Sequence, residues 1–562
     1  MASSGDLITK DYKNFRGVDF NTGEILPSRS SFSLNMWKNY KNNAKCVETR
    51  PLEVLETTFD NTIKSMYHYT INNVLHKITH CGTKLYDGTT QIYSGMNVVP
   101  AQYFIFNDIL YIKDGINYLK YNGSTVSVVE GYIPITSMGK SPEGAGTTYQ
   151  DVNLLTGKRK NSFVADGTST RYQLDAENLD AGFAVYAEVN GFTITEGSGL
   201  SVARSTGIVT FDSPPDIPET EGQDNVIITF SKTIAGNRDK ITHCTMLCEF
   251  DNRIFFSGYV NQPNMIWHSA LENPEYVSDL DYYIEGDISP VKALVAGNNA
   301  LWVFKEPNQS NTTIFYHNPV IDNTYGKIYP SVHSSISMGC VSTGINFNDD
   351  ICFFSNRGLD GISSDITTEQ VLGHRSTNID NMLLKEPNYK NLILQEWQGY
   401  LLVCIDNAVY LADSRGKYQS SSGDIEYEWF YWQFTNNITA AYVKDDILYL
   451  GMDNKIYKLI GTEGTIESIW RFPKEDFNAP IYLKTTNKRG GTAVCEGDIT
   501  IKTKTDNNDW ETINTYEEEK GYIVYRIKKK KFKDIELEFS STEPIKLYEA
   551  TLQAFIGGYV KR

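Results

Sequence analysis

The sequence predicts an all-β protein built on a β-propeller of six to eight blades, with an inserted small β-sandwich and a C-terminal β-sandwich-like domain. Three observations lead to this fold class. A hairpin pattern recurs at nearly equal intervals, one interval is much longer than the others, and strand-like alternation continues after the last repeat. Helical periodicity is scarce along the whole chain.

The recurring unit is a polar turn, an apolar strand, a second polar turn and a strand that carries Tyr, Trp or Ile. Its copies begin at Ile71, Phe106, Phe250, Gly297, Phe347, Trp397 and Val443, which gives intervals of 35, 144, 47, 50, 50 and 46 residues. Four-stranded propeller blades repeat at roughly 40–50 residues. The turns use Asp-Gly, Asp-Asn and related pairs, which accept the positive φ of a hairpin turn. Unrelated hairpins in β-sandwiches are the alternative.

The 144-residue interval predicts an insertion. Subtracting one blade of roughly 45 residues leaves about 100 residues, which we assign to an inserted antiparallel sandwich at 139–237. Residues 162–232 contain eleven acidic and three basic residues, so the inserted domain is expected to be acidic. The propeller blades then occupy 51–138 and 238–461.

Both chain ends lie outside the repeat. In 462–562, apolar and polar residues alternate, which predicts strands with one solvent-exposed face. An example is Ile535, Leu537 and Phe539, which alternate with Glu536 and Glu538. We interpret this region as the C-terminal β domain. Residues 1–50 show little periodicity and are expected to form an extended arm or outer strands that close the ring.

Composition excludes several classes of protein. The chain has 562 residues, of which 40% are hydrophobic and 22% are charged, and this composition is typical of a globular protein. Its 52 basic and 69 acidic residues give a net charge of −17, which disfavours tight binding along a nucleic acid. No apolar run is long enough to cross a bilayer and no secretory signal is visible. Eight cysteines without a CxxC pair are expected to be reduced and mostly buried.

Two short motifs invite a ligand-binding interpretation. The sequence GKS at Gly139–Ser141 resembles part of a phosphate loop, but Pro134 stands where that loop needs a glycine. A linker into the inserted domain is the better interpretation. The sequence ITHC occurs twice, with His80-Cys81 and His243-Cys244 as potential zinc ligands. Adjacent strand residues point to opposite faces, so we expect both copies to occupy equivalent blade strands instead.

Acidic pairs do not establish an enzyme. Asp349-Asp350 and Asp445-Asp446 could suggest the two carboxylates of a glycosidase, but both pairs fall at equivalent turns of the repeat. No GxSxG, HExxH or sialidase box occurs. We therefore predict no catalytic, cofactor-binding or metal-binding residues and no enzyme activity.

One basic cluster stands out at Arg526–Lys533, and it contains the run Lys528–Lys531. It could contact DNA or an acidic surface of a neighbouring copy. The alternative is a solvated edge strand, in which lysines discourage unwanted pairing of sheets. The sequence does not decide between these two roles.

Three segments carry a resemblance to a known family. NMWKNYKNNAKCVETRP near the N-terminus, residues 250–277 and residues 293–306 are similar to the tail nozzle, tail hub and packaged-DNA stabilisation proteins of short-tailed bacteriophages. The segment that begins DGTSTRYQL resembles small sandwich modules of phage tails. The similarity covers most of the chain through pattern and order, without a catalytic signature.

The resemblance implies a structural virion protein, assembled in the cytoplasm of the bacterial host. Such proteins form a homo-oligomeric ring, usually of six copies, beneath the adaptor ring at the tail end. The ring retains packaged double-stranded DNA, lets it pass without specific binding during ejection, and docks fibres or other tail proteins. An acidic channel wall would repel phosphate and keep DNA from sticking.

Two alternatives remain open. One is a receptor- or carbohydrate-binding propeller at a fibre or tip, for which exposed Trp and Tyr clusters would speak. Residues such as Trp302 and Tyr449, however, fall at repeat positions where core packing explains them. The other alternative is a polysaccharide-degrading enzyme.

Overall fold

A computed structural model describes residues 5–23, 25–42, 45–71, 73–323, 326–364, 370–419 and 425–559. The chain divides into two compact units. The first comprises residues 1–91 with 338–562, and the second comprises residues 92–337. Nearly all regular structure is β-strand, and within the described ranges no helix is long and apolar enough to span a membrane.

The described part of the chain up to Ser231 contains 22 strands. In chain order they are β1 Leu7–Tyr12, β2 Phe32–Leu34, β3 Met36–Trp37, β4 Val47–Thr49, β5 Leu52–Thr58, β6 Ile63–Ile71, β7 Val74–Cys81, β8 Lys84–Asp87, β9 Thr90–Ser94, β10 Gln102–Phe106, β11 Ile109–Lys113, β12 Tyr118–Tyr121, β13 Val126–Val128, β14 Ile135–Lys140, β15 Thr147–Thr148, β16 Lys158–Phe163, β17 Arg171–Gln173, β18 Tyr186–Val189, β19 Phe192–Glu196, β20 Gly199–Ala203, β21 Ile208–Phe211 and β22 Val226–Ser231. A 3-10 turn spans Tyr40–Asn42, and the helix α1 spans Asn237–Thr242.

The remaining elements include one more short helix, α2, at Asp380–Leu383. The strands are β23 Met246–Phe250, β24 Arg253–Ser257, β25 Met265–His268, β26 Tyr282–Ile284, β27 Val291–Gly297, β28 Ala300–Lys305, β29 Ile314–His317, β30 Val320–Asp322, β31 Gly326–Ile328, β32 Ser331–His333, β33 Gly344–Phe347, β34 Asp350–Ser355, β35 Gly358–Ser364, β36 Gln370–His374, β37 Ile393–Trp397, β38 Tyr400–Ile405, β39 Ala408–Gln419, β40 Ile425–Gln433, β41 Ile438–Lys444, β42 Ile447–Met452, β43 Lys455–Gly461, β44 Ser468–Arg471, β45 Tyr482–Thr486, β46 Gly491–Thr505, β47 Glu511–Tyr525, β48 Lys530–Phe532, β49 Ile535–Ser541 and β50 Lys546–Tyr559.

Seven four-stranded sheets are the blades of a β-propeller, which confirms the predicted fold class. They are β6–β9, β10–β13, β23–β26, β27–β28–β29–β32, β33–β36, β37–β40 and β41–β42–β43–β5. Each of the seven sequence repeats begins at or near the end of the first strand of one blade. The second strands β28, β34 and β38 are buried at every position, because a propeller blade is covered on both faces by its neighbours.

The first two strands of each blade are joined by a tight turn, as the sequence predicted. Six of these turns place two consecutive residues in the left-handed region, and they are Asn107-Asp108, Asp251-Asn252, Asn298-Asn299, Asn348-Asp349, Gln398-Gly399 and Asp445-Asp446. Asn and Asp tolerate this conformation, and two such residues match the twist of a two-residue hairpin. The turn chemistry of the repeat therefore fixes the register of each blade.

The blade of the last repeat takes its fourth strand from near the N-terminus. Strand β5 pairs antiparallel with β43, with Glu53 opposite Leu459 and Thr58 opposite Lys455. Residues about 400 positions apart in sequence thus complete one sheet. This pairing gives the outer edge of β43 a backbone partner and ties the start of the chain to its last blade.

The insertion forms one nine-stranded sheet from β14 to β22, in the order β15–β14–β16–β22–β18–β19–β20–β21–β17. It encloses its own apolar core, which includes Phe163, Tyr172, Phe211 and Phe230. The sheet is mixed, whereas the sequence predicted an antiparallel domain. Strands β14 and β16 run parallel, as do β19 and β20.

The C-terminal region forms an eleven-stranded sheet together with β1–β4. The residues predicted as an N-terminal arm thus supply four strands to it, with β1 and β4 both paired to β50. Aromatic packing joins this sheet to a blade of the same unit. Trp37 stacks on Trp397 with ring centroids 5.2 Å apart and meets Trp432 edge-on at 5.5 Å.

Candidate functional site

The two ITHC copies do not occupy equivalent strands, so that prediction was wrong. His80 and Cys81 lie buried in blade strand β7, whereas Ile241 and Thr242 end the helix α1. The side chain of His243 is 43% exposed and Cys244 is fully buried. The two identical tetrapeptides adopt different structures because tertiary packing overrides local propensity. In the described part of the chain, no group of His, Cys, Asp or Glu could hold a metal ion.

The GKS segment belongs to a strand, which excludes a phosphate loop. Lys140 is the last residue of β14, and its Nζ donates to the carbonyl of Ala145 at 3.0 Å. The backbone N–H of Gly139 donates to the carboxylate of Asp224 at 3.0 Å. A phosphate would have to displace that carboxylate, and no helix follows to supply further N–H donors. The segment is the first strand of the inserted sheet, so the predicted linker ends before it.

The acidic pairs divide between turn and strand. Asp445-Asp446 fills a hairpin turn, but the corresponding turn uses Asn348-Asp349, and Asp350 begins β34. Asp350 accepts hydrogen bonds from Arg375 Nε at 2.8 Å and from the Tyr427 hydroxyl. Burial by itself would lower the pKa of Arg375, but the hydrogen bond and charge of Asp350 outweigh it and raise the pKa. This ion pair is enclosed in the core and is therefore structural.

A second network, which is partly buried, surrounds His374. Its Nδ1 lies 2.9 Å from Asp360 Oδ1 and its Nε2 lies 2.5 Å from Asp380 Oδ2. Burial alone would lower the pKa of His374, but these two hydrogen bonds outweigh it and raise the pKa to about 9. Both ring nitrogens therefore donate, and the imidazolium has no lone pair with which to act as a general base.

Two buried lysines in the second unit were not anticipated from the sequence. Lys113 and Lys305 are the last residues of the second strands of their blades. Lys113 Nζ donates to the carbonyls of Thr242 and Cys244 at 2.7 and 2.6 Å, and Lys305 Nζ donates to the carbonyls of Glu285 and Asp287 at 2.6 Å. Burial lowers the pKa of Lys113 to about 8. Both lysines tie a strand end to the chain segment beside it.

A concave site lies where the C-terminal sheet meets the segment between β4 and β5. Its volume is about 490 Å³, and Glu48, Glu496, Lys546 and Arg50 contribute to its lining. Lys546 lies opposite Glu48 on one neighbouring strand and opposite Glu496 on the other. Asn39 Nδ2 donates to Glu48 at 2.7 Å, and the Tyr548 hydroxyl donates to Glu496 at 3.1 Å. The two carboxylates are thus held in place by donors, which suits polar recognition.

Comparisons with known proteins found remote structural likeness and no sequence relative. No protein-family model and no curated protein matches the chain. Among solved structures, BamB from Moraxella catarrhalis has 11% identity and a TM-score of 0.31, over 73% of this chain and 97% of that chain. An exo-beta-1,3-galactanase from Phanerochaete chrysosporium has 8% identity and a TM-score of 0.19, over 54% and 94%. An ancestral GH74 enzyme has 9% identity and a TM-score of 0.25, over 77% and 61%. Likeness at this level is too remote to support any conclusion about this chain.

The outer surface of the second unit carries many large apolar side chains. Those exposed by more than 60% are Tyr149, Phe192, Ile217, Val260, Leu280, Ile288 and Ile321. By contrast, Trp302 and Tyr449 are buried as predicted, and seven of the eight tryptophans of the chain are buried. Single exposed apolar residues are ordinary on a monomer, whereas a contiguous group of them would mark a surface that another protein covers.

Proposed function

We propose that this chain is a structural virion protein that forms a homo-oligomeric ring at the tail end of a bacteriophage and acts as a conduit for DNA. The observation that carries the proposal is the set of exposed apolar side chains on the second unit, because a ring protein must present such surfaces to its neighbours. The resemblance of the N-terminal segment and of residues 250–277 and 293–306 to tail nozzle and tail hub proteins supports a phage tail as the location of the ring.

The physical properties of the chain suit this role. Propeller blades leave only short and protected sheet edges, which makes a stiff wall for a channel under pressure. The net charge of −17 keeps phosphate backbones from adhering. The ionic networks around Arg375 and His374 add rigidity and offer no free base or nucleophile.

Partners follow from the same proposal. Copies of the chain are the first partner, in a ring of six as in the resembled family. Adaptor proteins would lie on one side of the ring, and fibres or other tail proteins on the other. Double-stranded DNA would pass through the ring without sequence-specific contacts.

The test is the location of the chain in purified particles. Particles released by the host are banded on a density gradient and their proteins are quantified by mass spectrometry. We expect the chain in the particle band at a few copies per particle, as for other tail proteins. Its presence in the lysate together with its absence from the particles would refute the proposal.

A second candidate function is the binding of a glycan at a receptor, favoured by the pocket that contains Glu48, Lys546 and Glu496. Carboxylates and an ammonium group in one cavity match the hydroxyl groups of a sugar. The tryptophans, which are the usual stacking platforms for sugars, are mostly buried. Binding of the chain to a glycan array would favour this function if Glu496→Gln abolishes that binding. Release of reducing ends from capsule fragments would show instead that the chain is an enzyme.

A further inference from the structure

Two exposed surfaces of this chain are complementary in charge and in apolar content. The first is at one end of the inserted sheet and is called here the acidic tip. It consists of Phe192, Asp212, Asp216, Ile217, Glu219 and Glu221, all exposed. In the described residues, no cation lies within ion-pair distance of these four carboxylates.

The acidic tip is a structured surface. The Asn225 side chain donates to Asn190 Oδ1 at 3.1 Å and to the Asp216 carbonyl at 2.8 Å. It thereby joins the hairpin that presents Phe192 to the loop that presents Ile217. Phe192 is 76% exposed and Ile217 is 64% exposed. Apolar anchors surrounded by charged residues are typical of a protein contact.

The second surface, called here the basic stripe, runs from the end of β47 into β48. It consists of Tyr522, Val524, Arg526, Lys528, Lys530 and Lys531. Exposed and buried residues alternate from 522 to 528, so the first four side chains point to the same face. Lys529 pairs with Glu511 at 2.6 Å, but across the described ranges no carboxylate pairs with a cation of the stripe itself.

Protection of a sheet edge explains only part of the basic stripe. Strand β47 pairs with β46 alone in the described sheet, and lysines at such an edge discourage aggregation. Tyr522 is 65% exposed and Val524 is 42% exposed, and apolar residues at an open edge have the opposite effect. A cavity of about 640 Å³ lies beside them, lined by Tyr516, Val524, Arg526 and Lys528 among others. This cavity is large enough to accept an aromatic side chain.

We propose that the acidic tip of one copy docks on the basic stripe of a neighbouring copy, with Phe192 or Ile217 entering the cavity beside Val524. Four carboxylates then face four cations, and the exposed apolar residues on both sides are covered together. The contact joins two different surfaces and is therefore heterologous, which is the type that generates rings. This inference rests on the proposed ring and specifies which surfaces close it.

The test exchanges the charges. The tip variant carries Asp216→Lys, Glu219→Lys and Glu221→Lys, and the stripe variant carries Arg526→Glu, Lys528→Glu and Lys530→Glu. All six residues are exposed, so folding is retained and is checked by circular dichroism. A control variant carries Lys385→Glu, Lys390→Glu and Lys455→Glu, which are exposed residues of the first unit outside the basic stripe. Assembly is followed by light scattering against protein concentration.

Each reversed variant alone should need a concentration about tenfold or more higher to assemble, because like charges then face each other. An equimolar mixture of the tip and stripe variants should assemble as the wild type does, since opposite charges meet again between copies. A contact within one chain would not be restored by mixing. Wild-type assembly of each variant alone, or failure of the mixture to recover, would overturn the inference.

The proposed function is tested independently of the docking surfaces. If both variants still enter particles, the proposed ring is retained and only the proposed docking surfaces are wrong. If the wild-type chain is absent from particles, the proposed function fails, while the mixing experiment still reports on self-assembly. Carbodiimide crosslinking of isotopically heavy and light chains provides the direct readout. Heavy–light crosslinks between Glu219 or Glu221 and Lys528 or Lys530 are expected.

Discussion

The stability of the first unit should fall as pH rises from about 6.5 to 9, and His374 is the reason. The folded protein raises the pKa of this imidazole from 6.5 to about 9. The protonated form is therefore favoured by folding. The contribution of His374 to the free energy of unfolding is complete below pH 6.5, where the imidazole is protonated in both the folded and the unfolded protein. It is lost as pH rises through 9, where the imidazole becomes neutral in both.

The size of this effect follows from the shift. A difference of about 2.5 pKa units at about 1.4 kcal/mol per unit corresponds to roughly 3 kcal/mol. The His374 side chain is only 16% exposed, so solvent screening reduces this figure modestly, to about 2–3 kcal/mol.

The assay is urea unfolding at half-unit steps of pH between 6 and 9.5, with His374→Gln as the matched control. The glutamine keeps a hydrogen-bonding side chain but does not titrate in this range. The wild type should lose about 2–3 kcal/mol relative to the variant across the range. A constant difference between the two proteins at every pH would refute the assignment of charge to the Asp360–His374–Asp380 network.

Three further substitutions test the packing and the turns. Trp37→Ala should destabilise the first unit by about 3–5 kcal/mol in urea unfolding, because a buried stacked ring is lost; a cost below about 1 kcal/mol would contradict the aromatic cluster. Asp350→Asn should cost about 3–5 kcal/mol, because it leaves the buried Arg375 charge uncompensated; Asp349→Asn, in the exposed turn, is the control and should be nearly neutral. Asn299→Val should lower the melting temperature through about 1–2 kcal/mol of strain at positive φ, whereas Asn299→Gly should not, and equal effects would disprove the turn assignment.

The propeller could be predicted because its signals are local. Turn pairs such as Asn298-Asn299 and Asp445-Asp446 need positive φ, and their regular spacing marks one blade each. The sequence left six to eight blades open, and the sheets settle the number at seven. The pairing of β5 with β43 could not be predicted, because nothing local to Leu52–Thr58 identifies a partner about 400 residues away.

The candidate sites were harder to predict from the sequence than the propeller, because they depend on tertiary packing. The sequence predicts a turn at Asp350, and only the position of Arg375, immediately after β36, shows that Asp350 is half of a buried ion pair. His243 and Cys244 repeat the tetrapeptide of His80 and Cys81, yet helix α1 precedes them. The basic cluster was evident from sequence, but the exposure of Tyr522 beside it required the sheet.

Cryo-electron microscopy of intact particles would show whether this chain forms a ring in the tail. We expect density for this seven-bladed chain, repeated around the tail axis and enclosing a channel, with each acidic tip next to the basic stripe of the adjacent copy. Density for a single copy on a fibre, or particles whose tails contain no such propeller, would contradict it.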